Sequence, residues 1–177
     1  FQHCANRTAQ WAWNYPDGEC VTSKTEAESA LYDELRDETD NLHANLVQKA
    51  IKRATKDIDN CVARLAEGEN TSCPHYDTFS IVYDKRAATY YRDKISLATV
   101  NGRVECEYDL PENLDDTPHG EYLLNKEWSF ATSTVHYDSE TDEFVLHAVM
   151  ETDVDASSPE KAEHSNVLGV DCNVDDH

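Results

Sequence analysis

Ile95-Ser96-Leu97-Ala98-Thr99-Val100, then Asn101-Gly102, then Arg103-Val104-Glu105-Cys106-Glu107-Tyr108 is the stretch that decides the fold. Two runs rich in strand formers flank a dipeptide that readily takes positive φ. The stretch therefore predicts a β-hairpin closed by a type I′ turn. Upstream, Tyr76-Asp77-Thr78-Phe79-Ser80-Ile81-Val82-Tyr83 alternates as a strand does. Downstream, residues 127–138 and 143–151 predict a second hairpin around residues 139–143 (SETDE). Between the hairpins, Pro111 to Gly120 reads as an acidic loop. Strands this short, at this spacing, suggest a small antiparallel barrel or sandwich.

Outward from the hairpins toward the N-terminus the period changes. Residues 2–13 contain no Gly or Pro and predict a short helix, broken by Tyr15-Pro16-Asp17-Gly18. Trp11, Trp13 and Tyr15 are expected to anchor packing. Thr22, Ser23 and Thr25 offer caps for a helix over 25–38, with Glu26 and Glu28 in its first turn and Ala27, Ala30, Leu31 and Leu35 facing inward. Asp40 or Asn41 is expected to cap the next helix, which runs to Glu67 with Gly68 as its C-cap. There Val47, Ile51, Ala54, Ile58, Cys61, Val62 and Leu65 share one face. Lys49, Lys52, Arg53, Lys56 and Arg64 fall opposite, within an arc of about 120°. Such a face is either a polyanion surface or a plain solvated one. Residues 152–165 read as a polar linker, and the apolar run after it delivers Asp171 at or near a strand end.

The chain has 177 residues, with 15 Lys+Arg against 36 Asp+Glu and a formal charge of −21. The imbalance is uneven. Residues 1–103 hold 13 basic and 16 acidic residues, net −3, and residues 104–177 hold 2 and 20, net −18. Two windows invert the sign: 47–65 is net +3 and 85–103 net +4. The second contains Lys85, Arg86, Arg92, Lys94 and Arg103, with Tyr90 and Tyr91 among them. A total of −21 argues against a polyanion partner, but these windows weaken that argument. An acid-coated surface poor in lysine suits a salt-filled cytoplasm. The other reading is an acidic protein with a calcium or basic-protein partner.

Cysteines at 4, 20, 61, 73, 106 and 172 show no zinc-knuckle spacing. They are expected to be buried or idle thiols. No run of about 18 apolar residues occurs, so no membrane-spanning helix is expected. No apolar segment follows a basic N-terminus, so the sequon-like Asn6-Arg7-Thr8 and Asn70-Thr71-Ser72 carry no expected glycan, and a cytoplasmic location is expected. The histidines form no His-Glu-x-x-His motif, and there is no P-loop, dinucleotide glycine motif or nucleophile elbow. The start at Phe1 and the end just after a strand-like run lead us to expect a piece of a longer protein.

Gly169-Val170-Asp171, an apolar strand opening on a carboxylate, is how nucleases of the RNase-H-like class begin. Alone it is a weak pattern. Two-metal phosphodiester cleavage needs several carboxylates converging on metals about 4 Å apart. The order of blocks adds more. Residues 1–7 (FQHCANR), the 42–48 stretch (LHANLVQ), Tyr83-Asp84-Lys85-Arg86, Tyr90-Tyr91-Arg92-Asp93-Lys94, the hairpins and Gly169-Val170-Asp171 follow one another. In that order the chain resembles the N-terminal part of a TnpB/OrfB-type transposon protein, an RNA-guided DNA endonuclease, with a haloarchaeal look. The resemblance covers nearly the whole chain.

The resemblance implies an α+β architecture. A wedge-like antiparallel β-barrel (1–21 and 74–151) carries an inserted helical recognition segment (22–73). A linker (152–165) leads to the first strand of a RuvC nuclease domain (166–177). It makes Asp171 the first catalytic, Mg²⁺-binding carboxylate. The remaining carboxylates and a zinc ribbon lie beyond this segment, so the fragment alone is expected not to cut DNA. Where the family commonly has Gly two residues after that Asp, this chain has Asn173. The implied partners are a guide RNA from the transposon end and double-stranded target DNA. Lys49, Lys52, Arg53, Lys56 and Arg64 are then expected at phosphates of the guide–target duplex. Lys85, Arg86, Tyr90, Tyr91, Arg92 and Lys94 are expected to grip RNA backbone and stack a base. Two other readings stand beside this one: a non-catalytic nucleic-acid-binding remnant of a decayed transposon, and an acidic halophilic interaction domain.

Overall fold

The computed structural model describes residues 1–13, 18–40 and 42–152. It is an α+β fold. Helix α1 spans Gln2–Trp13 and buries Cys4, Ala5, Thr8, Ala9 and Ala12. These side chains are small, so a neighbouring helix can approach closely. Helix α2, Lys24–Glu38, begins where Ser23 in extended backbone accepts a hydrogen bond from the Glu26 amide at 3.3 Å. It buries Ala27, Leu31 and Leu35. Helix α3, Ala44–Ala66, packs against both. It buries one continuous face from Leu46 to Ile58, while Leu65 in its last turn is 44% exposed.

The cap of α3 is not the expected one. His43 accepts from the Asn45 amide through Nδ1 at 3.3 Å. Asp40 adopts φ +45° in the turn after α2, whereas an N-cap needs extended backbone. Asn41 lies outside the described residues. The other end is as expected. Gly68 at φ +84° lets its own amide reach Leu65 O at 3.0 Å and the Glu69 amide reach Arg64 O at 3.0 Å. This double closure satisfies carbonyls the helix leaves open.

Six strands follow: β1 Ser80–Tyr83, β2 Ala88–Tyr90, β3 Lys94–Thr99, β4 Gly102–Glu107, β5 Ser129–Asp138 and β6 Glu143–Glu151. They form two antiparallel sheets, ordered β1-β5-β6 and β2-β3-β4, and neither closes into a barrel. Strand β1 is shorter than the alternation predicts. At Tyr76 the backbone carbonyl accepts from Asn6 Nδ2 at 2.9 Å and the amide donates to Asn6 Oδ1 at 2.8 Å. A side chain of α1 thus occupies the groups a strand neighbour would use.

Both hairpins form, with Thr99 opposite Gly102 and Asp138 opposite Glu143. The first turn is not type I′, which requires positive φ at both central residues. Positive φ falls on Gly102 (+102°) and not on Asn101. Thr99 Oγ1 accepts from the Asn101 amide at 3.2 Å and donates to Gly102 O at 2.8 Å, tying the loop internally. The acidic loop is partly helical. A 3-10 turn at Leu114–Asp116 leads into α4, Pro118–Leu124, capped by Thr117 with Pro118 at its start.

One buried cluster joins α1, α2 and α3 to the strands. It includes Cys4, Leu35, Leu46, Ile51, Ile81, Tyr83, Leu97 and Val135. A smaller one, of Ala12, Val21 and Ile58, is flanked by Trp11, Trp13, Cys20 and Val62. Trp11 and Trp13 therefore do anchor packing, while Tyr15 lies outside the described residues. Among those residues no helix is long and apolar enough to cross a membrane.

Candidate nucleic-acid interface

The two basic windows meet at one acidic side chain. Asp84 follows β1, and its carbonyl accepts from the Ala87 amide at 3.0 Å and the Ala88 amide at 2.9 Å, forming the turn into β2. Its carboxylate faces α3. Lys49 Nζ lies 3.0 Å from Oδ2, Arg86 Nη2 donates to Oδ2 at 2.9 Å, and the Arg86 amide donates to Oδ1 at 2.9 Å. Buried Asn45, with its amide turned as these neighbours dictate, donates to Oδ1 at 3.2 Å and accepts from Arg86 Nη2 at 2.9 Å. Burial pushes the Asp84 carboxyl up, but the hydrogen bonds from Arg86 and Lys49 outweigh it and hold it well below the usual carboxylate range.

Most of the remaining candidates also have partners within the chain. Arg53 donates to Ser80 O at 3.1 Å and lies over the Tyr76 ring at 5.0 Å. Tyr76 in turn donates to Asp57 at 2.7 Å. Arg64 pairs with Glu69 at 2.7 Å, Lys85 with Glu151 at 3.3 Å and Lys94 with Glu105 at 2.9 Å. Arg92 donates to Tyr122 O at 3.1 Å and Trp128 O at 2.6 Å, so it holds α4 and the start of β5 beside the β2–β3 turn. Tyr90 is a core residue. Its ring stacks on Phe130 at 5.0 Å, and its hydroxyl donates to Tyr83 O at 3.3 Å and accepts from Ser133 at 2.9 Å. Tyr91 is 43% exposed, with Lys94 Nζ 5.3 Å above its ring.

Lys52 and Lys56 differ from the rest. Both are exposed on α3, and neither side chain makes a hydrogen bond or ion pair among the described residues. They are one turn apart, about 6 Å along the helix axis. By contrast, the shallow cleft lined by Asp84, Lys85, Arg86 and Glu151 balances two cations with two carboxylates and is no anion trap. What the structure brings together is the Lys49–Asp84–Arg86 node. Beside it, Lys52 and Lys56 are exposed, while Arg53 and Arg92 tie separate segments together through backbone carbonyls. Reasoning from sequence misses Asp84 and Asn45 as organising residues. The available signal is an acid followed immediately by Lys85-Arg86, which two distant elements must share.

Among the described residues no group of three His, Cys, Asp or Glu is placed to hold a metal. Asp171 lies outside them. The chain matches no protein-family model and none of the curated proteins.

Proposed function

We propose that the chain is the N-terminal portion of a TnpB/OrfB-type RNA-guided DNA endonuclease, acting in the cytoplasm. In this reading it binds a transposon-derived guide RNA and target DNA ahead of a RuvC site that Asp171 begins with a Mg²⁺ ligand. The two sheets are then parts of the wedge-like barrel, and α2 and α3 are its recognition segment. The observation that carries the reading is the pair Lys52 and Lys56, exposed and unpaired among the described residues of a chain with 36 acidic residues. Cations that no internal carboxylate neutralises are suited to phosphates. The ordered sequence blocks supply the identity of the polyanion.

The test is crosslinking and sequencing of RNA that copurifies with the chain from a high-salt host, beside a Lys52→Glu/Lys56→Glu variant. Arg53 is left intact, because it ties α3 to Ser80. One structured transposon-end RNA, enriched in the parent and at least tenfold lower in the variant, is the expected result. Equal recovery from both would remove α3 from the interface. No RNA from either folded protein would favour an acidic interaction domain.

A further inference from the structure

His136 on β5 and His147 on β6 lie on one face of their sheet. The register pairs Thr134 with His147 and His136 with Val145, so the histidines are diagonal neighbours. Strand alternation separates them from Val135, which is buried in the core, and Leu146, which packs against it. Their ring centroids are 4.4 Å apart at an interplanar angle of 68°. Neither ring makes a hydrogen bond or ion pair among the described residues. The ring nitrogens are open, and His147 is exposed.

We propose that this pair is a bidentate site for a divalent transition-metal ion of the imidazole-preferring kind, Cu²⁺ or Ni²⁺. A metal–nitrogen bond of about 2.0–2.1 Å puts each ring centroid about 3.2 Å from the ion. Two rings at a right angle are then about 4.5 Å apart, and two at the tetrahedral angle about 5.2 Å. The observed 4.4 Å is compatible with the right-angled case, the adjacent positions of a tetragonal ion. The edge-to-face contact does not itself converge two lone pairs. Convergence calls for rotation about χ2, a broad torsion whose axis runs close to the ring centre.

Water completes the coordination. Asp138, two residues on from His136, pairs with Glu143, four residues before His147; both share this face and make it electronegative toward a cation. Bound metal links β5 to β6 directly, so it stabilises the native hairpin.

The site is tested by adding Cu²⁺ below one equivalent to the ¹⁵N-labelled chain at about pH 7.5. Amide signals of Thr134, His136, Val145 and His147 should broaden first. His147→Gln should restore them and weaken binding at least tenfold, with His136→Gln doing the same. Unchanged signals from α1 and α3 in both variants report an intact fold. Broadening confined to His3 or to Cys20, Cys61 and Cys73, or identical broadening in parent and variants, overturns the proposal.

Discussion

Asp84 shows how much one carboxylate can organise. Its side chain is 18% exposed and holds Lys49 and Arg86 in one node. Asp84→Asn removes the charge from hydrogen bonds that are individually strong, so a loss of about 1–2 kcal/mol is expected, discounted for partial exposure. Because its carboxyl is held below its ordinary value, the stabilisation is fully present above the unfolded value of about 3.9. It is lost as pH falls through the lower folded value. Denaturant titrations of parent and variant should therefore differ by a constant amount from about pH 5 to 8 and begin to converge only as pH falls below about 4. A gap that persists undiminished in acid would assign the effect to packing. The node is hidden in the sequence because Lys49 and Asp84 come from separate elements. A helical wheel places Lys49 in the basic arc but cannot show that β1 ends beside it. Lys52 and Lys56 are legible, since a wheel needs no tertiary information to put them outside.

At the scale of elements, the second hairpin and helices α2 and α3 are readable because their periods are sustained over many residues, and α1 because no Gly or Pro interrupts residues 2–13. Strand β2 has three residues and no period to detect. Helix α4 reads as loop in the sequence because Pro118 and Gly120 are turn residues out of context. Pro at the first helical position is in fact favourable. Gly120 has a packing reason. A Cβ there would meet Leu114 O at 2.0 Å, backbone that cannot swing aside. Gly120→Ala should therefore destabilise the chain by about 1–3 kcal/mol and loosen the 3-10 turn. Hydrogen exchange checks it: amides of Thr117 and Gly120, bonded to Leu114 O at 3.1 Å and Thr117 O at 3.0 Å, should lose protection while β3 amides keep theirs. Equal protection in both proteins would show that the turn absorbs the methyl group. The Asn101-Gly102 hairpin is legible as a hairpin and not as a turn type, since the dipeptide suits more than one loop geometry.

For the whole molecule, 36 acidic against 15 basic residues make self-repulsion the main electrostatic force on the fold. Several basics are already paired internally, so added salt screens repulsion more than attraction. Raising KCl from about 0.1 M to 1 M shortens the screening length from about 10 Å to 3 Å. The thermal midpoint should rise by about 3–8 °C over that range. A flat or falling midpoint would mean that the ion pairs, not the surplus carboxylates, set the electrostatic balance. The same molecule also has a schedule. Asn6 presses both arms of its amide onto the backbone of Tyr76, a partner 70 positions later in the chain. On a ribosome adding about 5–20 residues per second, that partner is made about 4–14 s after Asn6. Through that interval α1 exists without the segment it clasps. Helix α1 thus waits for one of its partners, a latch whose hold on Tyr76 closes only when the chain beyond α3 has come back to it.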